Sequence, residues 1–192
     1  MSLTKFNTYR AKPFNIELDL KAFDLAEDIE FLKTLLPCGY DYLHAAKDYS
    51  YDCMVCVIKA ILAKSLPELP AEEAALVLGQ RAYNAMTKTV IGRVTMSVFH
   101  LISLERALEI SIPALNKNIG FGHRKLVKLG PTHFRVECSD DPGATLPIML
   151  NLSLGLARRM LETFKVEQPE VKIYLTGPLS YNLELKWKKP HA

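Results

Sequence analysis

The spacing of apolar residues changes period once along this chain, and that change decides the fold class. Through the first half, apolar side chains recur every three to four residues, the repeat of a helix with one buried face. Leu25, Ile29, Leu32 and Leu36 predict a helix over Asp24–Leu36, closed by Pro37. Asp52 is an expected N-cap for a helix to about Lys64. Pro70 then suits the entry to a long helix whose face carries Ala75, Leu78, Ala82, Met86 and Val90, with a break expected at Gly92. Val94, Val98, Leu101 and Ile102 form a further apolar face, and Ser103 caps a short helix to about Ile112, before Pro113. Beyond the connector Asn118–Lys125 the repeat becomes two. In "HFRVECS", Phe134, Val136 and Cys138 point one way while Arg135 and Glu137 point the other. "RKLVKL" is its partner across the Gly130-Pro131 turn. A helix opened by Pro147 carries Met149, Leu152, Leu156, Met160 and Phe164, and "VKIYLT" and "YNLELKWK" follow around Gly177-Pro178. The expectation is an α+β fold: a helical N-terminal part packed on an antiparallel sheet of two hairpins separated by a helix. Residues 1–37 form an N-terminal segment and helix, and 38–192 a single α+β domain, the whole read as continuous. Helices and strands do not alternate as a doubly wound nucleotide-binding sheet requires.

With 192 residues, 49% of them hydrophobic, the chain builds a core without help from disulfides or metals. Its net charge is only +3, and no dense basic run marks a nucleic-acid partner; "LKWKKP" reads as a charged terminal strand. The polar N-terminus lacks a signal-peptide h-region, and no stretch has the apolar length of a transmembrane segment. Four cysteines in a chain this long are no disulfide framework. The expectation is a soluble cytoplasmic protein with reduced thiols.

Cys53 and Cys56 stand in C-x-x-C spacing within "SYDCMVCVIKAIL". A thioredoxin-like pair needs a strand feeding the helix and a positive field at its first thiol; here a Tyr-rich loop precedes, and Asp52 raises a neighbouring thiol's pKa. A zinc site wants two close ligand pairs, and Cys38, Cys138, His44, His100, His123, His133 and His191 supply no second one. Packing on a buried helix face is the favoured reading.

Other constellations are weaker. "NIGFGHRK" has a phosphate loop's glycines and bases but no following helix N-terminus. His100, in "SVFHLIS", has the form of a haem ligand or of an ordinary helix histidine. No G-x-S-x-G elbow supports a Ser-His-Asp set, and Glu105 and Glu109 read as a solvated helix face rather than an acid/base pair. "TKTVIGR" places polar groups where a long apolar helix breaks, as at the mouth of a small-molecule pocket. The ligand-binding candidates are Tyr83, Met86, Thr87, Thr89, Arg93 and His100. An ordinary helix junction is the plain alternative.

Leu78-Gly79, Thr89 and Gly92-Arg93 resemble the L-G…T-x-x-G-R pattern of a bacterial family of uncharacterised function, best known as a myxobacterial paralogous family. The resemblance runs from about Gly39 to Trp187. In layout that family is similar to a fold group holding the transport-particle (TRAPP) subunits, the vinyl-reductase-like domain and the haem-NO-binding domain. The resemblance implies dimers and an apolar or small ligand held between helices and sheet. Haem members carry Y-x-S-x-R; this chain has "SYNLEL" and no such motif, which argues against haem, as the cysteine and histidine spacing argues against zinc.

The resulting expectation is a non-enzymatic sensor or scaffold domain. It binds an apolar or amphipathic small molecule, a partner protein, or both, as a homodimer in bacterial signalling. Two alternatives are a thiol redox protein using Cys53 and Cys56, and a receptor for a phosphate-bearing nucleotide using Arg93, His123 and Arg124.

Overall fold

The computed structural model describes residues 8–44, 47–99 and 101–188. A short strand β1 (Arg10–Ala11) precedes helix α1 (Pro13–Lys21), which has proline at its first position, where no N–H is needed. Helix α2 (Ile29–Thr34) follows, capped by the Asp28 carboxylate accepting from the Phe31 N–H at 3.0 Å. The single helix expected over Asp24–Leu36 is therefore replaced by a turn and a shorter helix. Asp24 sits at φ 58°, and the Leu25 N–H reaches back to the Leu20 carbonyl, closing α1 instead of opening a new helix.

Strand β2 (Tyr49–Ser50) pairs with β1 and leads into α3 (Tyr51–Ser65). Its cap is Ser50, whose Oγ accepts from the Cys53 N–H at 3.1 Å, so Asp52 lies inside the first turn. Helix α4 (Ala71–Lys88) ends at Thr89, and α5 (Val90–Phe99) begins immediately. The break falls at Thr89 because its hydroxyl works both ways: it donates to the Met86 carbonyl at 2.8 Å and accepts from the Gly92 N–H at 2.9 Å. Gly92 faces the Met86 carbonyl, where a Cβ would collide. Ser103 caps α6 (Leu104–Ile119), as the sequence predicts, but α6 continues through Pro113 to Gly120, whose φ of +86° ends it.

Strands β3 (His123–Gly130) and β4 (His133–Ser139) form the first hairpin. Helix α7 (Pro147–Thr163) separates it from the second, β5 (Glu167–Gly177) with β6 (Ser180–Lys188). The sheet order is β3-β4-β6-β5, all antiparallel. The structure is α+β, as the change of period requires.

One core cluster gathers α1 to α4, with Ile16, Leu35, Val57, Ile61 and Leu78 fully buried. A second joins α6 and α7 to the sheet around Phe134, Leu161 and Leu185. Helix α7 serves both: Ile148, Met149 and Leu152 belong to the first, Ala157 and Leu161 to the second. Its contact with α4 is backbone to backbone. A Cβ on Gly79 would strike the Leu152 carbonyl, and one on Gly155 the Leu76 carbonyl, so each helix keeps a glycine where the other crosses.

Candidate functional site

Where α6 passes the edge of the sheet lies an opening of about 390 Å³. Ile112, Leu126 and Phe134 give it an apolar floor, Lys125 and Lys128 stand at its edge, and Arg124 closes its back. The register explains the mixture. Arg124, Leu126 and Lys128 stand opposite Cys138, Val136 and Phe134, which are buried, so this row of β3 faces the inner side of the sheet. Phe134 stacks on Trp187 with ring centroids 5.5 Å apart, and the Lys128 Nζ lies 5.9 Å from the Phe134 centroid while pairing with Glu105. Glu109 pairs with Arg106 at 2.7 Å. Lys125 is exposed and makes no ion pair among the described residues. Pro113 also lines the opening; having no N–H, it cannot return the usual helical hydrogen bond to the Glu109 carbonyl on the same wall.

Behind the rim is a buried polar node. The Arg124 guanidinium pairs with Asp141 at 2.8 Å, with side chains only 8% and 3% exposed. Asp141 also accepts from the Gly143 N–H at 2.8 Å and from the Tyr181 hydroxyl at 3.4 Å. Burial pushes the Asp141 carboxyl up, opposed by Arg124 and the Gly143 N–H. The Asn116 amide brackets Arg124, accepting from its N–H and donating to its carbonyl, both at 2.8 Å, which ties α6 to the start of β3.

A second opening, of about 450 Å³, lies between the ends of α1 and α4. Lys21, Asp24, Arg81, Asn84, Lys88 and Thr89 make it polar. Of the sequence candidates, Thr89 lines it while serving as the junction between α4 and α5. Tyr83 is buried, its hydroxyl 3.8 Å from the Met96 sulfur. Met86 is half-buried, and the Thr87 hydroxyl donates back to the Asn84 carbonyl at 2.8 Å. Arg93 is exposed on α5, and His100 lies outside the described residues. The phosphate candidates do not converge: His123 and Arg124 are consecutive on a strand and face opposite ways, and Asp141 neutralises Arg124. The α6–β3 cleft was legible in one signal, cations on the core-facing phase of "RKLVKL".

The cysteines depart from the expectation of reduced thiols. Cys56, exposed on α3, is bonded to half-buried Cys38, with Cα atoms 5.6 Å apart, because the short turn Leu36–Cys38 packs on that helix. Cys53 and Cys56 therefore do not pair with each other. Cys53 and Cys138 are buried thiols, both pushed up to about 11 by burial. Among the described residues no group of three His, Cys, Asp or Glu side chains is placed to hold a metal ion, and no helix is long and apolar enough to cross a membrane.

A family model described as a protein of unknown function, DUF2378, matches residues 25–188. That span takes in α2, which the L-G…T-x-x-G-R resemblance left out. No curated protein matches. Among solved structures, a doubly substituted Tt H-NOX domain aligns with TM-score 0.66 at 14% identity, covering 93% of this chain and 96% of that one. An H-NOX structure solved to probe the function of haem distortion in that family gives 0.65 at 14%, covering 94% and 97%. An oxygen-binding H-NOX domain related to soluble guanylate cyclases gives 0.62 at 16%, covering 92% and 93%.

This likeness shows the fold, and it corrects the argument against haem. The missing Y-x-S-x-R motif sets haem aside, yet over 91% and 94% of its length the chain aligns with structures solved to study haem redox potential and haem distortion. The cleft fits part of that molecule: an apolar floor for a flat ring and Lys128 for a carboxylate. Its lining residues include no histidine, cysteine or tyrosine as an iron ligand. Elsewhere, His133 bonds Glu184, and His123 is exposed.

Proposed function

Since the chain belongs to DUF2378, a family of unknown function, we propose from its fold and its cleft that it is a non-enzymatic ligand-sensing domain of bacterial signalling, acting as a homodimer. The ligand is an apolar molecule bearing a carboxylate, seated between α6 and β3, with haem the first to test. The observation that carries the reading is the inward row Arg124, Leu126 and Lys128 over a floor of Ile112 and Phe134. An apolar cleft with a few placed charges is the usual form of a small-molecule site.

Titration with hemin, protoporphyrin IX and oleate tests it. Binding to the native state raises Tm, and hemin adds a Soret band if iron is ligated. Lys128→Glu, on the inward row, is expected to weaken binding by about tenfold, equivalent to roughly 1.4 kcal/mol. No Tm change with any of the three probes sinks the reading.

A second reading rests on the Cys38–Cys56 bond. An external dithiol can attack at the exposed Cys56; two new thiols form on the chain and the reductant leaves as its own disulfide. The bond would then act as a redox switch on the Gly39–Val55 loop. If reduced protein neither re-forms the bond in a dithiol/disulfide buffer nor changes ligand affinity, this reading fails.

A further inference from the structure

Helix α5 is amphipathic the wrong way round for a surface helix. Val90, Ile91, Val94 and Val98, with Leu101 just beyond, are 69%, 79%, 64%, 48% and 85% exposed. The opposite side is already satisfied. Gly92 is buried, Phe99 packs on Phe164 with centroids 6.0 Å apart, and Met96 meets the Tyr83 hydroxyl. At 100° per residue the exposed apolar positions fall in one stripe slightly over a quarter-turn wide, the width of a packing face. A patch of this kind on a soluble domain marks an interaction surface.

We infer that this stripe is the homodimer interface, with a second copy of this chain as its occupant; the inference deepens the dimer stated above. Two features select a copy. Three of the five are evenly spaced: Val90, Val94 and Val98 stand four apart, so an antiparallel two-fold through Val94 sets each Val90 on the other chain's Val98, with Ile91 and Leu101 at the margins. No charge lies within the stripe, and Arg93, the sole charged residue of α5, falls on its flank. The area also suffices. The five side chains expose on the order of 500 Å² per chain, so a symmetric contact removes on the order of 1,000 Å² in total, the size at which specific interfaces begin.

The test is the mass of the full chain in solution by light scattering, beside two variants. The wild type is expected at twice the chain mass, and Val94→Asp as a monomer with unchanged circular dichroism. Val94→Cys is expected to form a covalent dimer under mild oxidant, while Thr95→Cys, on the half-buried side, does not. Background cross-linking is low because Cys53 and Cys138 are buried and Cys38 is bonded to Cys56. A wild-type monomer at about 100 μM, far above the Kd of a stable dimer, overturns the inference. So does a dimer that Val94→Asp leaves intact and Val94→Cys does not cross-link. Neither result touches ligand binding, and failure of every ligand probe leaves this interface standing.

Discussion

Asp19 is the residue whose chemistry fits its surroundings least. It is 6% exposed on α1, and burial pushes its carboxyl up to about 8 from 3.8. Between those values the folded protein holds a proton that the unfolded chain has released. Stability therefore falls as pH rises through the window from about 4 to about 8, and the whole penalty is present above it. Asp19→Asn is expected to raise Tm at pH 8 while changing it little at pH 4, so thermal unfolding at the two values reads the effect directly. The gain at pH 8 should be on the order of a few kcal/mol, allowing for relaxation around a buried charge. Arg124 and Asp141 are the opposite case, a buried pair in which each supports the other. Arg124→Met strands the Asp141 carboxylate and should cost about 3–5 kcal/mol in urea unfolding. Adding Asp141→Asn to that variant should recover part of the loss. A double variant as unstable as the sum of the singles would mean that the two residues are not coupled.

At the level of elements, three residues of the L-G…T-x-x-G-R pattern shape the backbone. Gly79 lets α4 meet α7, Thr89 ends one helix and starts the next, and Gly92 clears the Met86 carbonyl. Gly155→Val places a branched side chain against the Leu76 carbonyl of α4. The helices must separate, so a loss of more than about 2 kcal/mol is expected, toward the upper range for overpacking. A Tm within error of wild type would show that the crossing is loose. Periodicity found the hairpins, α7 and most of α4 because their apolar faces repeat without interruption. It failed at the N-terminus, where Leu25, Ile29 and Leu32 keep helical spacing across a turn that only the backbone at Asp24 reveals. It also stopped α6 at Ile112, since a proline inside a helix is read as an end. Here Pro113 is tolerated, its cost localised at the Glu109 carbonyl beside the cleft. The reading of the C-x-x-C pair as buried packing residues holds for Cys53 but not for Cys56, which is exposed and bonded to Cys38 through tertiary packing that the spacing does not show.

Across the whole molecule, one helix and one cross-link set how the parts answer to each other. Helix α7 runs through both core clusters, so the helical layer and the sheet should unfold together. The Cys38–Cys56 bond acts only on the first cluster, closing a loop that contains Tyr40, Tyr49 and the cap of α3. Tyr40 and Tyr49 pack ring to ring at 5.2 Å inside that loop, and both are buried. Opening the bond frees the unfolded chain far more than the folded one, and for a sequence separation of 18 residues the chain-entropy cost is roughly 3 kcal/mol. In a domain of this length that corresponds to a Tm lower by about 6–12 °C. Because α7 couples the clusters, the loss should appear as one shifted transition rather than as early melting of the helical layer followed by the sheet. Cys38→Ser/Cys56→Ser should reproduce the Tm of reduced wild type, and added reductant should then have no further effect on it. Calorimetry of oxidised, reduced and double-serine proteins makes the comparison. Two resolved transitions in the reduced protein would mean that the cross-link, and not α7, holds the molecule to a single cooperative unit.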